Sequence, residues 1–178
     1  YIRKNLSYAE DFIQLSKLDH SAQTNTDLCD SASLIDNAVA QIFHSAARRG
    51  VHIRISYTQD DDWLYCDRHL VERALTNLID NALKHSQDDS VIEVETVVSG
   101  NSVAFVVGDQ GAGIDPSDMG RIFEAFQQGK GATEGVGLGL RFALVVAETH
   151  GGTLHASNRK EGGASFSLRL PLGSHHAK

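Results

Sequence analysis

This sequence is poor in cysteine, has no long apolar run, carries no excess of positive charge and contains no internal repeat. Each absence removes a class of protein. Two cysteines do not make a disulfide framework, and Cys29 and Cys66 stand at no metal-binding or redox spacing, so a reducing compartment is expected. No stretch approaches the roughly 20 apolar residues that a membrane-spanning helix needs, and no signal-peptide layout is visible. The formal net charge of −7 excludes a broad basic surface for nucleic acid or anionic lipid. A polyanionic ligand would have to be held by backbone N–H groups, a metal ion and a few cations.

What is present suits one globular domain with an appendage. The chain has 178 residues, 41% hydrophobic and 22% charged, enough to bury a core without covalent staples. It starts at Tyr1 rather than methionine and is expected to be an excerpt of something longer. Residues 1 to about 19 read as a helix with two apolar stripes, Ile2, Leu6, Ala9, Ile13 and Tyr1, Tyr8, Phe12, Leu15, which calls for a partner helix. A polar linker follows over Ser21–Thr26, then a helix from about Ser33 to Arg49 with Gly50 as its stop. Residues 51–57 alternate as a strand, and Asp60–Asp62 reads as a solvated turn.

A central helix starts at Asp67, a suitable N-cap, and runs to about Ser86. Strands are expected over 91–98 and 103–107, joined at Ser99-Gly100-Asn101. Asp115-Pro116 predicts the opening of a short helix to about Glu124, and residues 127–137 form a glycine-rich loop. A helix from Leu138 to His150 ends at Gly151-Gly152, and 153–157 with 164–170 form a closing hairpin. The mixed order favours an α+β fold with helices over one face of a mixed sheet.

Three stretches carry chemistry. In the central helix, Asn77, Asn81 and Lys84 fall at i, i+4 and i+7, on the side opposite Val71, Leu75, Leu78, Ile79 and Ala82. Asparagine competes for the backbone and is a poor helix former, so two stacked in mid-helix need a reason. They are either a solvated face or a carboxamide pair presented to a metal and phosphates. Next, Asp109-Gln110-Gly111-Ala112-Gly113-Ile114 follows a strand in which Val103, Phe105, Val107 and Asp109 share one parity. A carboxylate on a core face is costly unless something donates to it, such as the amino group of a purine. Otherwise it is an exposed strand end. Finally, Gly135-Val136-Gly137-Leu138-Gly139-Leu140 leads into a helix whose free N–H groups suit phosphate, without the features of a Walker A loop or a dinucleotide fingerprint. Phe123 and Phe126 are either core aromatics or anchors for a loop that moves.

The order of these motifs is specific. Asn-x-x-x-Asn-x-x-Lys, Asp-x-Gly-x-Gly-Ile, Phe-x-x-Phe and Gly-x-Gly-x-Gly, in that succession over residues 77–140, resemble the N, G1, F and G2 boxes of the ATP-binding domain of sensor histidine kinases. The resemblance extends over about residues 27–172. It implies a Bergerat fold, a two-layer sandwich of mixed sheet under three helices, over 26–173. Residues 1–25 would then be the end of a dimerisation hairpin and its linker, and 174–178 a polar tail. By the same resemblance Asp109 accepts from the adenine amino group, within a loop that includes Gly111, Gly113 and Ile114. Asn81 ligates Mg²⁺, and Asn77 and Lys84 lie close to the phosphates of ATP. Gly135, Gly137 and Gly139, with Leu138 and Leu140, shape the lid's hinge and the phosphate-facing helix start. Phe123 and Phe126 brace a lid over Gln127–Glu134 whose single cation is Lys130.

The resemblance further implies partners: a histidine-bearing dimerisation domain of the same protein, a response-regulator receiver domain, and a homodimeric full-length sensor associated with the membrane, its kinase domain cytoplasmic. The family's acceptor histidine is usually followed by an acidic residue. None of the nine histidines here has that setting, so all read as structural or solvent-facing. Gyrase-like ATPases and anti-sigma serine kinases carry a glutamate four residues before the metal-binding asparagine, as general base. Here that position is Asn77, and a carboxamide takes no proton at neutral pH. A neutral imidazole acceptor already has its lone pair and does not need that base. The alternatives are a nucleotide-binding module without its own kinase activity, or one of those relatives.

Overall fold

The computed structural model describes residues 25–58, 63–125 and 137–172. In chain order these form β1 (Asp27–Asp30), α1 (Ser31–Ala47), β2 (His52–Ser56), β3 (Trp63–Cys66), α2 (Arg68–His85), β4 (Val91–Ser99), β5 (Ser102–Gly108), α3 (Gly139–Thr149), β6 (Thr153–Asn158) and β7 (Ala164–Pro171). Five strands make one sheet in the order β2-β4-β5-β7-β6. β2 pairs with β4 in parallel and the other pairs are antiparallel, so the sheet is mixed. This is the α+β sandwich expected from the element order.

The period of two decides which face is buried. Ile92, Val94 and Thr96 are buried while Glu93, Glu95 and Val97 point the other way, and Val103, Phe105 and Val107 continue the buried face in β5. Phe105 stands opposite Leu168, and Val107 opposite Phe166, so the register joins apolar rows across neighbouring strands. Three helices cover that face. α1 contributes Leu34, Ile35, Ala38, Ile42 and Ala46; α2 contributes Leu70, Val71, Ala74, Leu75, Leu78, Ile79, Ala82 and Leu83; α3 contributes Phe142, Ala143, Val145, Val146 and Ala147.

Local chemistry sets the helix ends. Asp67 caps α2 by accepting from Leu70 N at 3.1 Å, as predicted. α1 starts two residues earlier than expected, because Asp30 accepts from Ala32 N at 3.3 Å and Ser33 N at 3.0 Å. The C-terminus of α2 is capped from outside. Arg49 donates Nη1 to Leu83 O at 2.5 Å and Nη2 to Ser86 O at 2.6 Å, while its Nε meets Asp88 at 2.8 Å. A cation on the last carbonyls also interacts favourably with the negative end of the helix dipole. Arg49→Ala is expected to lower the unfolding free energy by about 1–2 kcal/mol in urea titration. An unchanged midpoint would contradict the capping role.

The structure makes one correction and one addition. Residues 115–124 are not a helix but a series of turns: Asp115 O receives Asp118 N, Asp118 O receives Arg121 N, and Arg121 O receives Glu124 N. The Asp115 side chain accepts from the N–H and the hydroxyl of Ser117, a local turn that competes with helical propagation. β1 and β3 form a two-stranded antiparallel sheet that sequence reading had not foreseen. Cys29 and Cys66 sit on its inner side, both free and fully buried. Burial, with Cys29 alongside, pushes the Cys66 thiol well above its ordinary range, which makes it an inert core residue. The expected helix over 1–19 lies outside the described residues. Among those residues, no helix is long and apolar enough to cross a membrane.

Candidate functional site

The site starts where β5 ends. Its strand parity turns Asp109 inward, and the residue is only 1% exposed. Oδ1 is fully used, accepting from Gly111 N at 2.8 Å and Ala164 N at 3.1 Å. Oδ2 is buried without any hydrogen-bond partner among the described residues. An orphaned buried acceptor costs about 1–3 kcal/mol, more when charged. The arrangement therefore suits a ligand that brings a donor, as the amino group of adenine does.

α2 connects this corner to a second one. Its last residue, His85, presents a carbonyl against the loop so closely that a Cβ on Gly111 would sit 2.1 Å from it. Eight residues earlier, Asn77 packs beside the first turn of α3, where a Cβ on Gly139 would lie 3.5 Å from the Asn77 side chain. The Asn77 Nδ2 is buried and has no partner among the described residues. Leu138, the N-cap of α3, makes no side-chain capping bond, so the first N–H groups of that helix have none from their cap. The orphaned acceptor at Asp109 and the orphaned donor at Asn77 thus lie along one helix. From Asn77 to His85 that helix rises about 12 Å, a length suited to a nucleotide with its base at one end and phosphates at the other.

Asn81 lies half-buried one turn from Asn77, while exposed Lys84 is paired with Asp80 at 2.5 Å on its own helix. No group of three or more His, Cys, Asp or Glu able to hold a metal exists among the described residues. A cation at Asn81 would therefore need ligands from elsewhere. Mg²⁺ fits that requirement, since it is commonly held by one or two side chains, substrate phosphates and water. Ile114, Phe123 and Leu140 are partly buried against the core, Leu138 is fully buried, and Gly113 and Gly137 adopt positive φ of 78° and 71°. Phe126, Lys130 and Gly135 lie outside the described residues.

Two supports escaped the sequence reading. Ala164 donates to Asp109, and Gly163, at φ 88°, lets the chain pass where a Cβ would be 2.1 Å from Asp109 O. A second glycine-rich turn, Gly162-Gly163, was the available signal, but it read as an ordinary hairpin. His150 is structural, as expected. Its Nε2 accepts from Asp67 N at 3.0 Å, and its Nδ1 donates to Val146 O at 2.7 Å, which joins the end of α3 to the cap of α2.

A family model described as "Histidine kinase-, DNA gyrase B-, and HSP90-like ATPase" matches residues 66–174, more than half of the chain. This chain belongs to that family. Similar proteins include sensor proteins and sensor histidine kinases. The chain is 37% identical over 121 residues to the sensor protein KdpD of Escherichia coli strain K12, covering 67% of this chain and 14% of that protein. It is 33% identical over 144 residues to the alginate biosynthesis sensor protein KinB of Pseudomonas aeruginosa, covering 81% of this chain and 24% of that protein. The chain therefore spans a quarter or less of these relatives' length. Among solved structures, full-length ShkA in complex with AMPPNP superposes with a TM-score of 0.82 at 26% identity, covering 93% of this chain and 35% of that one. The mycobacterial sensor histidine kinase MprB gives a TM-score of 0.72 at 26% identity, covering 82% of this chain and 97% of that one. Both structures share the fold of this chain.

Proposed function

We propose that this chain binds Mg-ATP and, as part of a longer sensor histidine kinase, supplies the γ-phosphoryl group for a histidine on a dimerisation helix outside this sequence. The phosphoryl group would then pass to a receiver domain, in a homodimeric protein whose kinase domain is cytoplasmic and whose sensor is membrane-associated. The observation that carries the reading is the pair of buried polar atoms at opposite ends of the site, Asp109 Oδ2 and Asn77 Nδ2, that have no partner among the described residues. An adenine nucleotide would satisfy both. It would place its amino group at the acceptor and its phosphates near the donor and the start of α3. The AMPPNP bound by the similar ShkA supports the same class of ligand.

In this reading Asp109 selects the base and Asn77 stays a neutral donor. Phosphoryl transfer depends mainly on positioning and on neutralising charge, so the domain needs no proton-accepting side chain at residue 77. Asn81 would hold Mg²⁺, which, when bound, neutralises charge on the phosphates. Lys84, released from Asp80, would add a cation from the same helix face. Residues 26–173 would form the kinase domain, and 1–25 the end of the hairpin that carries the acceptor.

Thermal unfolding tests the proposal. Saturating Mg-ATP at about 100 times its Kd should stabilise the protein by about 2.7 kcal/mol. Asn81→Ala should remove the part of this effect that depends on Mg²⁺, leaving the response to metal-free ATP unchanged. A protein that Mg-ATP does not stabilise at all would contradict the reading.

A further inference from the structure

We infer that Asn158 and Arg159, at the end of β6 and the start of the turn to β7, are positioning residues for base selection. They act through Ile114 and Asp109 rather than on the nucleotide. This rests on the adenine-binding reading above.

A single carboxamide satisfies both backbone groups of Ile114. Asn158 Oδ1 accepts from Ile114 N at 2.7 Å, and its Nδ2 donates to Ile114 O at 2.8 Å. The approach is so close that a Cβ on Gly113 would lie 2.8 Å from Asn158 Oδ1, and Gly113 takes a φ of 78°. Asn158 thus pins the far end of the loop that begins at Asp109. Arg159 pins the near end, with Nη1 donating to Asp109 O at 3.1 Å. Its other arm, Nη2, is 2.5 Å from Glu93, which also pairs with Arg54 at 2.9 Å. The guanidinium crosses Gly108, where a Cβ would be 2.8 Å from Nη1. Gly108 shares parity with Val106, on the face opposite the helices, so Arg159 reaches Asp109 from behind the sheet.

These contacts complete the restraint of Asp109. Its N–H donates to Ala164 O at 2.9 Å, its carbonyl accepts from Arg159, and its Oδ1 accepts from Gly111 and Ala164. Only Oδ2 is left to aim. Hydrogen-bond strength falls steeply with angle, so loosening either clamp should weaken recognition of the base amino group before it weakens phosphate binding.

The test compares ATP with purine riboside triphosphate, which lacks only the 6-amino group, by calorimetry with Mg²⁺ below each protein's unfolding transition. The ratio of the two Kd values isolates amino recognition. The parent should prefer ATP, and Asn158→Ala and Arg159→Lys should each reduce that preference by about tenfold while leaving affinity for the analogue within about twofold of the parent. A general loss of fold would weaken both nucleotides in proportion. Proportional weakening, or a parental ratio in both variants, overturns the inference while the adenine site stands. A parent that binds ATP and the analogue equally, or neither, overturns the adenine reading and this inference with it.

Discussion

Calorimetric titration of Asp109→Asn with ATP should give a Kd weaker than the parent's by on the order of 100-fold. The geometry requires more than the loss of a charge. One oxygen of residue 109 must go on accepting from Gly111 N and Ala164 N, so the new amide has to turn its NH₂ into the position of Oδ2. The orphaned acceptor then becomes a donor facing the adenine amino group. Two effects add, a charged hydrogen bond lost and two donors opposed. GTP should gain little, because the amide offers the guanine C6 carbonyl one neutral bond, weaker than the charged bond that the carboxylate gives the adenine amino group. Equal ATP affinity in variant and parent would contradict the assignment of Asp109 to the base.

Gly111→Ala should damage the same site by a steric route. Its Cβ would lie 2.1 Å from His85 O, a backbone atom at the end of α2, and 3.1 Å from Asp109 Oδ1. Neither neighbour can swing away as a flexible side-chain tip could. Either the loop or the helix end must shift, at about 1–3 kcal/mol for overpacking. The shift also breaks the bond from Gly111 N to Asp109 Oδ1, so ATP affinity should fall at least tenfold along with stability. Gly120→Ala is the control. A Cβ there meets nothing within 4 Å and should change unfolding by less than about 0.5 kcal/mol. Equal behaviour of the two variants in urea unfolding would contradict the close packing of loop against helix.

The parts of this fold that were legible in the sequence are those specified by neighbours in the chain. The apolar face of α2 follows from a 3.6-residue period, and its start from an aspartate that bonds three residues ahead. The inward parity of Asp109 follows from a strand period that runs unbroken through Val103, Phe105 and Val107. The pairing of β1 with β3 does not follow, since four residues show too little periodicity and the partner strand is distant in the chain, with Cys29 opposite Leu64 and Asp27 opposite Cys66. The 115–124 stretch misled for the opposite reason. Asp115-Pro116 is a sound helix opening, but Ser117 folds back onto the Asp115 side chain and the hydrogen bonds continue as turns.

The candidate site divides in the same way. Asn77, Asn81, Asp109 and the glycines carry a local pattern because spacing along one element places them. Asn158, Arg159 and Gly163 carry none, because their roles arise only where the β6–β7 turn meets a loop 44 and 50 residues earlier, at Ile114 and Asp109. In the sequence they are merely a polar hairpin turn. The structure also sharpens the asparagine stripe on α2. Asn77 is not simply a solvated residue, since its amide nitrogen is buried beside α3 and has no partner among the described residues. Lys84, by contrast, is held by Asp80 and would have to leave that pair to serve a phosphate.

On the proposed function, this domain supplies a phosphoryl group to a histidine on a hairpin outside this sequence. The direct measurement mixes the protein with γ-labelled Mg-ATP and a separate histidine-bearing hairpin dimer from the same sensor, then follows label on the hairpin and its stability in acid and base. The hairpin should carry label that acid removes and base leaves, as a phosphoimidazole requires, and none with Asp109→Asn. Acid-stable label, or ATP bound and hydrolysed by the isolated domain with no transfer to the hairpin, would contradict it.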